Sequence, residues 1–474
     1  MTKTVYIKTV GCQMNVLDSE MVVADLKRHG YTTVDSPDDA DLVLYNTCSI
    51  RENAEEKVYS ALGKIREAKA ARPEQVVGVM GCMAQKDQSI VFKRAPFVDM
   101  VVGPGQLHTI PTLVETIGRG GGRQMAVSLG RKDGKQSVVA RSHETFDPLR
   151  DPAMRPTPFQ AYLRIQIGCD KFCTYCVVPG TRGPEQGRPA DDIVAEARVL
   201  ADQGAREITL LGQTVNSYRH DDVDMAELLR RLHPIDGLDR IKFVTNYPKD
   251  MTERLLRTIA ELPKVSPYLH VPAQSGSDDV LRRMKRGYTV DDYLAMFDRI
   301  ERFLPGAAVS SDFIVGFCGE TDEDFEASVR LVERCRFKNS FIFQYSERPG
   351  TKAADRFPDD VPREVKAARN HRLLEVQNAI AMEDNQRFVG DEVEVLVEGP
   401  SKKHRDTEDA NADGIVQMTG RTHCDRIVVF DGRRRQAGQM LPVTIDAASS
   451  HTLIGRVKTV EVHTIGMPAM AGSA

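Results

Sequence analysis

Four short apolar runs punctuate residues 1–118: "TVYIKTV", "DLVLYNT", "QVVGVMG" and "VDMVVGPG". Each has the length of a buried strand, and the stretches between them, such as "NVLDSEMVVADLKRHG", place apolar residues at helical spacing. Strand–helix alternation predicts an open parallel α/β sheet, which binds ligands outside the carboxyl ends of its strands. Residues 119–157 are rich in Gly, Pro and Arg ("GRGGGRQ", "GRKDGKQ", "DPLRDPAMRPTP") and read as a linker, with a short hairpin expected at "MAVSL" and "QSVVA". From 158 to 375 one strand–helix unit repeats six times, with strands "YLRIQIG", "EITLLGQ", "IKFVTN", "YLHVPAQ", "VSSDFIVGF" and "SFIFQYS". Six units are too few for a closed eight-stranded barrel, so an open, partial (β/α)6 barrel is expected. Residues 376–462 begin in a long helical pattern. Five short strands follow: "DEVEVLVEG", "GIVQMTGRTH", "DRIVVF", "QMLPVTIDAA" and "TLIGRVKTV". They predict a small antiparallel β-barrel, followed by a disordered tail over 463–474. The fold class is therefore α/β with a terminal all-β unit.

Composition changes this picture little. The chain has 474 residues, 41% apolar and 28% charged, with a net charge of −4. That balance gives no global basic signal for nucleic acid. No apolar run with a small-residue cleavage site opens the chain, and no stretch is apolar enough to span a membrane. A cytoplasmic location is expected. In that compartment nine cysteines are ligands or catalysts more readily than disulfides.

The cysteines carry the candidate chemistry. Cys169, Cys173 and Cys176 stand in "RIQIGCDKFCTYCVVPGTRG", directly after the first barrel strand. C-x3-C-x2-C on a Gly-flanked loop brings three thiolates to one iron–sulfur cubane and leaves a fourth iron open. Buried structural cysteines and a zinc site are the alternatives, but zinc needs a fourth ligand and none lies nearby. Cys12, Cys48 and Cys82 each end a strand of the first sheet, at the same predicted edge. Read alone, each is either a ligand or a packed strand-end cysteine. Cys318, Cys335 and Cys424 share no motif and are expected to be structural.

C-x3-C-x2-C after the first strand of a partial α/β barrel resembles the radical S-adenosylmethionine enzymes. The likeness extends along the chain. "GCQMNVLDSE", "YNTCSIRENAEEK" and "GCMAQ" resemble the amino-terminal domain of the methylthiotransferases. "YCVVPGTRGPEQGRP", "LLGQTVNSY", "VPAQSGSDDVLRRMKRGYT", "SSDFIVGF" and "YSERPGTKAA" resemble their radical core, and "GRTHCDRIVVF" their RNA-binding TRAM barrel. "CQMN" and "LLGQTVNSY" favour the branch that acts on tRNA carrying isopentenylated adenosine beside the anticodon. The branches acting on threonylcarbamoyl-adenosine or on a ribosomal protein side chain are alternatives, as is an iron–sulfur RNA-binding sensor without catalysis.

The resemblance implies two 4Fe–4S clusters, the first on Cys169, Cys173 and Cys176 and the second, auxiliary one on Cys12, Cys48 and Cys82. It implies S-adenosylmethionine as cofactor and conversion of the adenine to its 2-methylthio form. The implied partners are the tRNA anticodon stem-loop, an electron donor such as flavodoxin or ferredoxin, and a sulfur donor, with no membrane. Tyr175, between two ligands, is placed to pack on the cofactor's adenine or into the core. Gly212, Gln213, Gln274, Ser275, Ser311 and Asp312 end barrel strands and are placed to line the cofactor site or to cap the barrel's packing. The chain departs from the family pattern at Cys318, where proline is common, at Gly180, where tyrosine is common, and at "FVTNYPKD". "SKKHR" and "GRRRQ" are candidate phosphate contacts or solvated turns.

Overall fold

The computed structural model describes residues 3–49, 52–129, 150, 152–155, 157–402 and 414–458. They form two compact units, Met1–Ile380 and Ala381–Ala474.

The first unit opens with a parallel sheet of β1 (Lys3–Val10), β2 (Tyr31–Thr33), β3 (Leu42–Thr47), β4 (Val76–Gly81), β5 (Met100–Val102) and β6 (Gln124–Ala126). Their order is β2-β1-β3-β4-β5-β6. β3 and β4 are buried at every residue, as central strands covered on both faces must be, which is why they read as unbroken apolar runs. The order reverses between β1 and β3, and there α1 (Gln13–Arg28) leaves the carboxyl end of β1. That reversal is where open α/β sheets leave a ligand crevice. β6 comes from the Gly- and Arg-rich stretch and pairs parallel with β5. The expected hairpin partner "QSVVA" lies outside the described residues.

The six expected strands of the second part are present: Gln160–Arg164, Glu207–Leu211, Arg240–Phe243, Tyr268–His270, Ala308–Val315 and Asn339–Gln344. Hydrogen bonding groups them as two parallel triplets. A bridge between Ile241 and Val265 and the bond from Asn246 N to the His270 carbonyl, 3.0 Å, join the triplets into one open partial barrel. Asp224, Thr252, Thr289 and Thr321 cap the outer helices by accepting from backbone N–H groups in the first turn. Leu163, Ile208, Leu210, Ile241, Leu269 and Phe313 fill the core between strands and helices.

α1 packs Met14 and Leu17 onto Leu211 of the barrel, and a buried ion network fastens that seam. Arg150 donates to Glu20 on α1 and to Glu196 on the helix Ala190–Asp202, both at 2.6 Å. Arg188 joins Glu196 at 2.7 Å.

The second unit contains a closed barrel of Glu392–Pro400, Ile415–Thr422, Ile427–Arg433, Met440–Ala448 and Thr452–Val457 around Val397, Met418, Phe430 and Ile445. The expected all-antiparallel pairing holds except at one seam. Ile427–Arg433 and Thr452–Val457 run parallel, because the intervening strand pairs with both Thr452–Val457 and Glu392–Pro400 instead of inserting between them. The tail 463–474 and most of "SKKHR" lie outside the described residues. Arg433, Arg434 and Arg435 are exposed.

Candidate functional site

Cys12, Cys48 and Cys82 follow β1, β3 and β4, three adjacent strands. Cys12 caps α1, and Asn15 and Asn46, both fully buried, exchange hydrogen bonds that clamp the first turn of α1 to the end of β3. Gly81 has φ +96 immediately before Cys82, and a Cβ there would stand 2.4 Å from Asn46 Oδ1, so glycine allows the close turn. Cys12 is exposed while Cys48 and Cys82 are buried. A hydrogen bond with Cys48, with Arg182 nearby, draws the Cys12 thiol down to about 6. Burial pushes Cys82 up.

The second triad sits on the loop after Gln160–Arg164. Gly168 has φ +79, and a Cβ on it would lie 1.8 Å from the Pro184 carbonyl. Phe172, at φ +52 between Cys169 and Cys173, holds a backbone conformation that non-glycine residues rarely adopt. Such strain persists where surroundings over-determine it, and here they do. Thr174 N donates to the Met284 carbonyl, Ala353 N to the Thr174 carbonyl, and Cys169 N to the Gly183 carbonyl. Arg286 donates to Cys173 Sγ at 3.3 Å and Val178 N to Cys176 Sγ at 3.4 Å. Burial raises Cys169, and it raises Cys176 to about 12, with the charge of Cys173 adding to both.

Thiols raised by a neighbouring thiolate, as Cys169 and Cys176 are by Cys173, form a donor set that a polycationic group relieves. Among the described residues no three histidine, cysteine or carboxylate side chains converge on a single metal ion. A cubane makes a different demand, since each thiolate takes a separate iron and the sulfurs stand farther apart than around one tetrahedral zinc. Both triads fit that demand in residue type, count and placement at strand carboxyl ends.

The two triads are neighbours. The segment from Cys176 to Arg182 runs through a single helical turn, Val178–Thr181, and Arg182 then donates from Nε to Cys82 Sγ at 3.2 Å. A cavity of about 310 Å³ opens beside this segment, lined by Cys173, Cys176, Phe172 and Gly180, by Gln85 and Lys86 just after Cys82, and by Lys352.

The remaining expected residues divide. Gln213 Oε1 accepts from Gly168 N at 2.6 Å, so it holds the cysteine loop. Gly212 lies against Gln166, where a Cβ would meet the side chain at 2.7 Å. Gln274 takes φ +74 and bonds the Asp312 backbone, while the Asp312 carboxylate pairs with His270 at 3.0 Å. Ser275 and Ser311 are buried in bonds to other chain atoms: Ser275 to Ser328 and to Ser277 N, Ser311 to Val271 and Ala273 backbone. The Tyr175 ring meets Phe317 edge-on at 6.4 Å, beside the core that includes Cys318. Cys335 is buried in the main barrel core, and Cys424 contacts Thr422.

Sequence reasoning missed Arg182 and Arg286. Both are buried, and both donate to a candidate ligand sulfur. Arg286 also reaches Tyr288 and the Pro272 carbonyl. The available signal was position: each arginine stands just before a positive-φ glycine in a stretch bordering the cysteine loop or packed on it.

The uncharacterized protein family UPF0004 matches residues 4–103, and the Radical SAM superfamily matches residues 163–332. A tRNA-2-methylthio-N(6)-dimethylallyladenosine synthase of Rhodopirellula baltica is 77% identical over 100% of this chain and 99% of its own length. Synthases of the same name from Nitrosomonas eutropha and Bordetella petrii are 42% and 43% identical over 97% of this chain, and over 100% and 92% of their own lengths. A solved radical S-adenosylmethionine methyltransferase, TsrM from Kitasatospora setae, shares the fold. It has a TM-score of 0.57 and 15% identity over 75% of this chain and 74% of that one. With relatives matched end to end and both triads in place, the chain belongs to the radical S-adenosylmethionine methylthiotransferases, in the family of the tRNA-2-methylthio-N(6)-dimethylallyladenosine synthases.

Proposed function

We propose that this protein methylthiolates tRNA, converting N6-(dimethylallyl)adenosine beside the anticodon to its 2-methylthio derivative. Cys169, Cys173 and Cys176 hold one 4Fe–4S cluster, and Cys12, Cys48 and Cys82 hold a second. With S-adenosylmethionine bound, these groups supply a carbon-centred radical able to take hydrogen from adenine carbon 2, and a sulfur and a methyl group to replace it. The chain's own part is positional. Arg286 and Val178 N orient the loop thiolates, and Gln213 fixes the loop's start. Phe172 offers a face on which a splayed base stacks, and Lys86 and Lys352 offer charge to its phosphates. Within the terminal barrel the exposed arginines at 433–435 offer phosphate contacts of their own.

Among the described residues no helix is long and apolar enough to cross a membrane, and tRNA as substrate points to the cytoplasm. The chemistry consumes electrons one at a time. That calls for a low-potential donor such as flavodoxin or ferredoxin, and each product carries away a sulfur that a separate sulfur donor must restore.

The observation that carries this reading is the adjacency of two three-thiol sites across one helical turn. The test is anaerobic turnover with isopentenylated tRNA, quantifying 5′-deoxyadenosine and methylthio-nucleoside. Cys12→Ala/Cys48→Ala/Cys82→Ala should still form 5′-deoxyadenosine but no methylthio product. Cys169→Ala/Cys173→Ala/Cys176→Ala should form neither. Methylthio product from the first variant would falsify the auxiliary-site assignment, and wild-type protein that forms no 5′-deoxyadenosine would be an RNA-binding sensor instead.

A further inference from the structure

We propose that Arg182 is a positioning residue that sets the reduction potential of the group held by Cys12, Cys48 and Cys82. The inference rests on the ligand reading given above for those three cysteines. By sequence Arg182 belongs to the radical core, close after Cys176, yet its guanidinium is embedded in the first domain's site. It is 3% exposed. Nε donates to Cys82 Sγ at 3.2 Å, and Nη2 stands 2.8 Å from the Asp18 carboxylate on α1.

Three features separate this from an ordinary buried ion pair. Asp18 is shared, because Arg164 also approaches it at 3.8 Å, so one carboxylate faces two guanidinium groups. The local sum is therefore positive until thiolate charge is added. Nη1 of Arg182 is buried with no hydrogen-bond partner among the described residues, although unsatisfied buried donors are costly. Finally, the donor comes from outside the sheet that carries the three cysteines, on the short segment that begins at Cys176.

A hydrogen bond and a positive charge on a ligand sulfur favour the reduced, more negative state of an iron–sulfur group and so raise its potential. Removing them should lower it.

The test uses the full chain in a Cys169→Ala/Cys173→Ala/Cys176→Ala background, so that only the auxiliary site loads. Arg182→Met, Arg182→Lys and Asp18→Asn are made in it. Each is reconstituted anaerobically, analysed for iron and sulfide, and titrated against mediators by electron paramagnetic resonance. The background should hold about four irons. Arg182→Met should shift the one-electron equilibrium at least tenfold toward the oxidised form, 59 mV lower, and Arg182→Lys should recover part of the shift. Asp18→Asn removes a negative charge and should move the potential upward, a sign that a purely structural role would not produce. A fully loaded Arg182→Met with an unchanged potential overturns the proposal. If that variant fails to load, an Asp18→Asn potential at or below the background's overturns it. A background without iron overturns the ligand reading itself, and this inference with it.

Discussion

Arg150→Met should loosen the seam that aligns the two triads, and the cost can be worked from the structure. Arg150 is 2% exposed and holds Glu20, itself 1% exposed, through two guanidinium nitrogens at 2.6 and 3.3 Å. Glu196 keeps Arg188 when Arg150 is lost, but no other ion pair to Glu20 is formed by the described residues. The substitution leaves that buried carboxylate without its ion-pair partner, with the charge of Arg155 as remaining support, and costs up to about 3–5 kcal/mol. Glu20 already lies above the ordinary carboxylate range because burial disfavours its charge, with Arg150 opposing. Without Arg150 it rises further. A folded-state value above the unfolded one means the folded chain holds its proton more tightly, so the stability it contributes falls as pH rises. The variant's deficit should accordingly be larger at pH 8 than at pH 5.5. Glu20→Gln/Arg150→Met should cost less than the two single changes added, since neither charge is left buried alone. Hydrogen exchange of α1 and of Gln160–Arg164, in the chain without clusters, reads the seam directly. In the loaded enzyme, 5′-deoxyadenosine should persist while methylthio product falls. A deficit below about 1 kcal/mol, or one flat with pH, refutes the reasoning.

Much of the architecture was legible because buried parallel strands have no polar face. β3, β4 and Glu207–Leu211, buried at every residue, show as apolar runs, and a cysteine after such a run, as after β3 and β4, stands at a ligand-binding edge, whereas Asn339–Gln344, largely exposed, is read from its alternation with helices. The strand expected at "MAVSL" is present over Gln124–Ala126, but its parallel pairing with β5 was not legible, because three residues paired through backbone atoms leave no signal of which neighbour they join. The parallel seam in the terminal barrel was missed for a related reason, since adjacency in sequence suggests hairpins and says nothing of which strand closes the barrel. Ser275 and Ser311 show the limit for polar residues. Strand-end position told where they sit but not that their hydroxyls turn inward to other chain atoms. Arg150, Arg182 and Arg286 were hidden more deeply. An arginine in sequence looks solvated, and its burial depends on partners such as Glu20 and Asp18 that only tertiary structure brings near.

Three further outcomes follow from particular residues. Removing residues 381–474 should weaken tRNA binding and flatten its salt dependence while leaving uncoupled cofactor cleavage intact; unchanged affinity by filter binding would count against a tRNA role for the terminal barrel. Burial raises Glu320 to about 7 despite its bonds from Gly316 N and Arg369. Relative to Glu320→Gln, the wild type should therefore lose about 3 kcal/mol of stability as pH climbs from about 4.5 to 7, at 1.36 kcal/mol per unit, and parallel stability curves would refute it. Gly168 and Gly180 form the sharpest contrast, because they flank the same cysteines. A methyl group on Gly168 meets the Pro184 carbonyl at 1.8 Å from a backbone at φ +79, whereas one on Gly180 meets nothing within 4 Å. Gly168→Ala must push the loop out of register, so reconstituted iron should drop from about eight toward about four, all of it on Cys12, Cys48 and Cys82. Gly180→Ala should keep both sets and gain up to about 1 kcal/mol from the less flexible unfolded chain. Equal iron in the two variants would show that the close approach at Gly168 does not shape the ligand loop.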